Sequence, residues 1–216
     1  MTTLPRPVPA SPAPNPDEWF ALPVLAGDRI RLRPLTIEDS AGYYRAATAG
    51  DPDGEVFRWL AVRRPADEAA ARRQVAAALA ARARGVRLPY AQIDARTADF
   101  VGTSSLYEID PNLRTLAIGH TWLTRTLWRQ GANSESKLLL LTHAFETLGA
   151  ARVVWHTDIY NERSQAAIAR LGATREAVLR KHRIRPDGSW RDTVQYSMTD
   201  DDWPQVRNRL EAARAR

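Results

Sequence analysis

The chain has 216 residues, a formal net charge of +6, 44% hydrophobic and 26% charged residues, proportions that suit one globular domain with appendages and exclude an intrinsically disordered chain. It has no cysteine, which removes disulfides, thiolate zinc sites, iron–sulfur clusters and a Cys nucleophile; no apolar run reaches the ~20 residues that span a bilayer and the N-terminus lacks a secretory pattern, so a soluble, cytoplasmic protein with no membrane partner is expected. Lys137 and Lys181 are the only lysines, and the arginines are spread along the chain rather than gathered into a basic stripe, so nucleic acid is not the expected partner.

Residues 1–24 are read as a proline-rich tail: seven of the fourteen prolines fall before residue 24, a density that excludes helix and ladder pairing. Trp19, Phe20 and Leu22 are candidates to dock it. A domain is expected over residues 25–200, and a C-terminal helical extension over 201–216. Asp28 to Leu35 alternates charged and apolar residues as a strand does. Thr36 with Asp39 resembles a capping box and opens a helix to about Ala49. Pro65 to Arg84, rich in alanine, is a second helix. Strands follow at Leu88–Asp94, Phe100–Ile109 and Leu116–Leu123; Gly119 inside the third marks a bulge or a close backbone approach. Asn133 to Leu148 carries one broad apolar face and is the clearest helix. Arg152–Thr157 is a buried strand, and Asn161–Leu171 is a helix closed by Gly172. Two long strands, Ala173–Ile184 and Arg191–Met198, are joined at Pro186-Asp187-Gly188, a hairpin signal. The order β α α β β β α β α β β predicts an α/β (α+β) fold: a mixed central sheet of six to seven strands flanked by about four helices.

The segment that carries chemistry is Trp128 to Lys137, WRQGANSESK, between a strand end and an apolar-faced helix. A helix start offers free backbone N–H groups and partial positive charge, which suits phosphate, and Gly131 permits close backbone approach. The same residues also fit an ordinary cap, with Asn133 or Ser134 capping a helix after a glycine turn.

Four stretches in order, LRPLTIEDS at Leu32–Ser40, IGHTWL at Ile118–Leu123, WRQGANSESKLLLLTHAFETLGA at Trp128–Ala150 and NERSQAAIARLGA at Asn161–Ala173, resemble the GNAT acyltransferase superfamily and, within it, the RimJ/RimL-like acetyltransferases. The resemblance covers about Leu25 to Thr199. It implies an N-acetyltransferase that uses acetyl-CoA as co-substrate and no metal, with an amine acceptor: a protein N-terminal α-amine or a small molecule. Homodimers are frequent among similar proteins. The family's Gln/Arg-x-x-Gly-x-Gly/Ala pyrophosphate loop falls on Trp128–Asn133, where Gly131 matches strictly. The implied diphosphate donors are backbone N–H groups of Gln130, Gly131, Ala132, Asn133 and Ser134, with Arg125 and Arg129 as nearby cations. Asn161 and Ser164 are implied to face the pantetheine arm and the thioester sulfur. The oxyanion donor is implied around Trp122, Leu123 and Thr124. Trp59 and the segment Asp51–Pro65 are implied to line the acceptor side.

The chain departs from its relatives at the proton carriers. The Tyr that many GNAT enzymes offer to the leaving thiolate is replaced by Ile168, which leaves Ser164. The carboxylate base of RimL-like enzymes would fall near Arg183, which accepts no proton. His120 is the first substitute, because an unperturbed imidazole titrates near 6.5; it equally fits a structural aromatic filling a Tyr position. His182 and Glu135 are weaker substitutes, and water alone would serve where positioning is sufficient. His143 and Glu146, three apart on a helix, are expected on a solvated face rather than at a metal. The alternatives are a non-catalytic CoA-binding module, which would bind CoA without releasing thiol, and an Arg-rich nucleic-acid binder, whose affinity would be salt-dependent and indifferent to CoA.

Overall fold

The computed structural model describes residues 15–214; the proline run before Asn15 lies outside the described residues. Chain order is α1 (Pro16–Trp19), β1 (Leu25–Ala26), β2 (Ile30–Pro34), α2 (Ser40–Thr48), α3 (Glu68–Ala83), β3 (Arg87–Asp94), β4 (Phe100–Asp110), β5 (Thr115–Leu123), α4 (Ala132–Thr142), β6 (Arg152–Asp158), α5 (Glu162–Leu171), β7 (Thr174–Ile184), β8 (Trp190–Thr199) and α6 (Trp203–Arg214). Short 3-10 turns precede α2 and α4, and a π turn, His143–Thr147, prolongs α4.

The helix starts follow local chemistry. Thr36 and Asp39 form the expected capping box ahead of α2, and the Asp39 carboxylate is held by the Arg33 guanidinium through both oxygens (2.6 and 2.8 Å). Asp67 caps α3 by accepting from the Ala70 N–H at 2.6 Å. Asn161 caps α5, and Gly172 ends it at φ +97°, a conformation open to a residue without Cβ.

The strands form one eight-stranded sheet in the order β1-β2-β3-β4-β5-β6-β8-β7, against the six to seven expected. The additional strand is β1, two residues long, too short to show a period of two. All neighbouring pairs are antiparallel except β5–β6. Each face of the sheet carries a core. On one, Ile30, Leu32, Leu116 and Ile118 pack with Leu138, Leu141, Ile168, Trp203 and Leu210 of α4, α5 and α6. On the other, Leu35, Ala91 and Ile93 pack with Tyr43, Ala46, Val75 and Ala78 of α2 and α3.

A bulge in β5 decides which residues reach which core. The β4–β5 register runs Ser105↔Gly119 and then Thr103↔Trp122, so His120 and Thr121 together oppose one residue of β4. His120 adopts φ +49° there. The extra residue inverts the alternation beyond it: Leu116 and Ile118 face the α4 side, whereas Trp122 turns to the α2–α3 side. Gly119 answers both sequence readings, since it adjoins the bulge and a Cβ on it would lie 2.8 Å from the Tyr107 ring.

Candidate active site

The parallel junction is the gap in the sheet. β5 and β6 are joined only through Thr115–Ala117 and Arg152–Val154. Beyond those pairs β6 continues on β8 as far as Asp158, and β5 continues on β4 as far as Leu123. The two parallel strands therefore separate toward their C-terminal ends and leave backbone groups of β5 facing a wedge. One of the expected donors there is spent: the Thr124 N–H donates to the Val101 carbonyl at 2.8 Å, because the β4 pairing runs past the end of β5. The Trp122 carbonyl accepts from Gln92 Nε2 at 3.0 Å, and the Leu123 carbonyl accepts from the Trp128 indole at 3.1 Å.

At the wide end of the wedge lies the start of α4. Its N-cap is Gly131 at φ +82°, without a side-chain cap, and Arg129 is also left-handed at φ +64°. Asn133 and Ser134, sequence candidates for the cap, instead lie inside the first turn. The Glu135 N–H donates to the Gly131 carbonyl at 3.0 Å; the N–H groups of Ala132, Asn133 and Ser134 precede that bond and have no intrahelical acceptor. Cations gather around the turn. Arg29 donates to the Gln130 carbonyl at 2.9 Å. Arg125 and Arg163 stack on the Trp128 ring, 4.2 and 3.8 Å from its centroid. The Gln130 side chain is turned back to the Thr126 carbonyl at 2.6 Å. Uncapped amides, a left-handed glycine and surrounding guanidinium groups fit a diphosphate. Arg29 and Arg163 were not legible as part of this cluster, since each comes from an element remote in sequence.

Across the wedge mouth, Asn161 is buried and its side-chain oxygen accepts from the Ser164 N–H at 3.0 Å. Arg163, between them in sequence, joins this helix start to the loop through Trp128 and donates to the Glu55 carbonyl at 3.2 Å. Ile168 is buried in the core.

His120 packs edge-on to Tyr107, ring centroids 5.2 Å apart, and the Tyr107 hydroxyl lies 3.1 Å from His156 Nδ1. The His120 side chain is exposed at the bulge; desolvation by the surrounding protein, reinforced by Arg87, Arg183 and Arg191, lowers its pKa from the ordinary imidazole value. The imidazole is therefore neutral at physiological pH and a weaker base than an ordinary histidine. His182 is lowered as well, by desolvation first and then by Arg183. Glu135 is unavailable: buried, it accepts from the backbone N–H groups of Asp28, Arg29 and Ile30 at 3.0, 2.8 and 2.8 Å and serves the β1–β2 turn. Of His143 and Glu146, expected on a solvated face, Glu146 is exposed and His143 is not. His143 is buried, and Glu146 accepts from the Trp203 indole at 2.9 Å and pairs with Arg207 at 3.0 Å.

Lys137 is a group the sequence reading passed over. Fully buried on α4, its Nζ donates to Thr121 Oγ1 at 2.7 Å and Ser104 Oγ at 3.0 Å, and burial pulls its pKa down to about 7. Its only sequence signal is a lone lysine at the buried edge of an apolar-faced helix.

On the other side of the wedge mouth, the Gly54–Arg64 strap and the β7–β8 hairpin enclose a cavity of about 320 Å³, with Trp59, Asp158, Arg183 and Arg191 in its lining. Arg63 ties strap to hairpin by donating to the Pro186 carbonyl at 2.7 Å.

The profile of the acetyltransferase (GNAT) domain family matches residues 29–174, which include the split parallel pair and the glycine-led start of α4. The chain belongs to the GNAT acetyltransferase family. It is 29% identical over 180 residues to the Bacillus subtilis (strain 168) protein YoaA, described as an uncharacterized N-acetyltransferase, covering 82% of this chain and 96% of that protein. Among solved structures, a GCN5-related N-acetyltransferase from Brucella melitensis superposes with a TM-score of 0.83 at 26% identity, covering 89% of this chain and 85% of that one. Mycobacterium smegmatis RimJ, solved with CoA-disulfide, superposes with a TM-score of 0.72 at 25% identity, covering 89% and 92%. As a GNAT enzyme, the protein transfers an acetyl group from acetyl-CoA to an amine. Among the described residues, no helix is long and apolar enough to cross a membrane.

Proposed function

We propose that this GNAT enzyme binds the diphosphate of acetyl-CoA on the N–H groups of Gly131, Ala132, Asn133 and Ser134. Gln130 and Arg129 shape the turn, and Arg29 and Arg125 supply charge. The observation that carries the reading is the uncapped start of α4: a helix terminus normally satisfies these amides with a side chain, and here Gly131 leaves them to a ligand. Acetyl-CoA brings an activated thioester; the chain's own residues orient it. The pantetheine arm enters the wedge between β5 and β6, with Asn161 beside it; the Leu123 N–H, which alternates with the Thr124 N–H bonded to β4, is the backbone donor for the developing oxyanion. The amine attacks the carbonyl directly in a ternary complex, and Ser164 donates a proton to the leaving thiolate.

Attack requires a neutral amine. The arginines that act on His120 act in the same direction on any ammonium beside it, since like charge disfavours the charged form. The proton then leaves to water. The acceptor is a primary amine, either an α-amine or a small-molecule amine.

Isothermal titration with CoA and a thiol-release assay test this reading. Gly131→Val should weaken CoA at least tenfold while the melting temperature shows a folded protein. The cause is backbone strain, because a β-branched residue disfavours φ +82°, whereas a Cβ itself would meet Arg29 only at an ordinary 3.5 Å. CoA affinity that survives this change would remove the α4 start from the binding site, and CoA binding without thiol release toward any amine would leave a non-catalytic module.

A further inference from the structure

The cavity between the strap and the β7–β8 hairpin carries more positive charge than its own acids neutralise. Its lining holds six arginines against two aspartates. Asp158 is gripped by Arg185 through both oxygens, at 2.7 and 3.0 Å. Arg191 stands 4.0 Å from that same carboxylate, and its buried Nε has no hydrogen-bond acceptor among the described residues. Asp187 turns to its own hairpin and accepts from the Ser189 N–H at 2.9 Å. Arg63 and Arg64 donate to backbone carbonyls, of Pro186 at 2.7 Å and Asp51 at 2.6 Å. Arg183 reaches Glu108 only at 3.5 Å, with both side chains about half exposed. Guanidinium groups stay charged at any physiological pH, and clefts with low-dielectric walls focus such a field on what enters.

We propose that the acceptor is a small primary amine that also carries an anionic group, a carboxylate or a phosphate, and that Arg191 and Arg183 hold that anion. The inference rests on the acetyl-transfer reading and names the substrate class of the same site. Three observations support it. Arg191 Nε faces the Asp158 carboxylate at 4.0 Å without a hydrogen bond, and Asp158 is already held by Arg185, so the Arg191 guanidinium keeps charge and donors for a carboxylate or phosphate in the planar geometry guanidinium favours. Arg183 and Arg191 act electrostatically on both His120 and Tyr107, so the anion site adjoins the bulge of β5, where the wedge opens and the amine must arrive. The volume, about 320 Å³, is that of a small-ligand pocket, and the Arg63–Pro186 hydrogen bond joins the strap to the hairpin across it. Phe57, Trp59, Leu60 and Ile184 give it apolar wall, so the acceptor has an apolar body as well. The CoA diphosphate does not account for the charge, because no residue from Trp128 to Ser134 lines this cavity.

The test uses the full chain with acetyl-CoA and matched acceptors: phenylalanine against 2-phenylethylamine, phosphoethanolamine against ethanolamine, and a tripeptide with acidic residues after its N-terminus. The anionic member of at least one small pair should show a kcat/KM at least tenfold higher, and the pair that does so identifies the anion as carboxylate or phosphate. Arg191→Gln should raise KM for that acceptor at least tenfold and erase the preference, with Arg191→Lys partly restoring it. Arg183→Gln, at an exposed position, makes the same test if Arg191→Gln does not fold. CoA affinity by calorimetry should not change in these variants. Preference for the neutral members, or for the peptide over both small pairs, overturns the proposal while CoA binding persists; absence of CoA binding overturns the acetyl-transfer reading itself and this proposal with it.

Discussion

At Lys137 the fold buries an amine with two hydroxyl partners and no carboxylate. Its pKa is about 7 in the folded chain and about 10.4 when exposed. Between those values the unfolded chain binds more protons, so stability rises with pH through that window. The penalty is fully present below about pH 7 and gone above about pH 10.4. Lys137→Met should therefore stabilise the protein at pH 6, by on the order of 4 kcal/mol before the lost hydrogen bonds are counted, and the gain should fade toward pH 10. Melting temperatures of the two proteins across pH 6–10 check this; a gain that grows with pH would contradict it. At His120 the expectation is kinetic. A general base contributes about 10²–10⁴-fold, whereas an aromatic side chain that only packs on Tyr107 contributes far less. His120→Asn, which tolerates the left-handed backbone, should lower kcat/KM less than tenfold, and the wild-type profile should show no limb near pH 6.5. A hundredfold loss would restore the base role.

Between elements, two contacts set the site, and both join distant segments. Glu135, in the first turn of α4, accepts three N–H groups of the β1–β2 turn and so fixes the height of α4 against the sheet. Gly27 makes room for it, since a Cβ there would sit 2.7 Å from Glu135 Cδ. Glu135→Ala should cost roughly 3 kcal/mol, because buried donors lose a charged acceptor, and it should loosen CoA binding by displacing the start of α4. Urea unfolding together with CoA titration separates these effects. The second contact is the bulge of β5, which turns Trp122 toward Tyr43 and Phe57, with ring centroids 4.8 and 5.1 Å apart. The capping box at Thr36–Asp39, the Asn161 cap and the Gly172 stop were legible, because each is an interaction within a few residues. The inversion of β5 was not: Gly119 signalled an irregularity, but the face that follows it depends on how β4 pairs.

For the molecule as a whole, one core is completed by segments outside residues 25–200. Trp19, named from sequence as a candidate to dock the proline-rich tail, is 1% exposed and belongs to the core with Ile30, Leu32 and Trp155. Trp203, Val206 and Leu210 of α6 complete the same core, and Trp203 stacks on Phe145, centroids 5.3 Å apart. Trp19→Ala should cost about 3–5 kcal/mol, the range for a large aromatic removed from a core, and chemical denaturation reads it directly. A loss under 1 kcal/mol would return Trp19 to an appendage. The sequence by itself determined the order of the elements, their caps and turns, and the glycine-led helix that marks the family, because periodicity and capping are local properties of the chain. Only the tertiary structure decided that Arg29 and Arg163 attend the α4 start, that His120 sits at a bulge under the charge of Arg87, Arg183 and Arg191, and that the arginines of β7 and β8 face the strap across one cavity. Burial and charge proximity are sums over neighbours from many elements, and no stretch of sequence contains them.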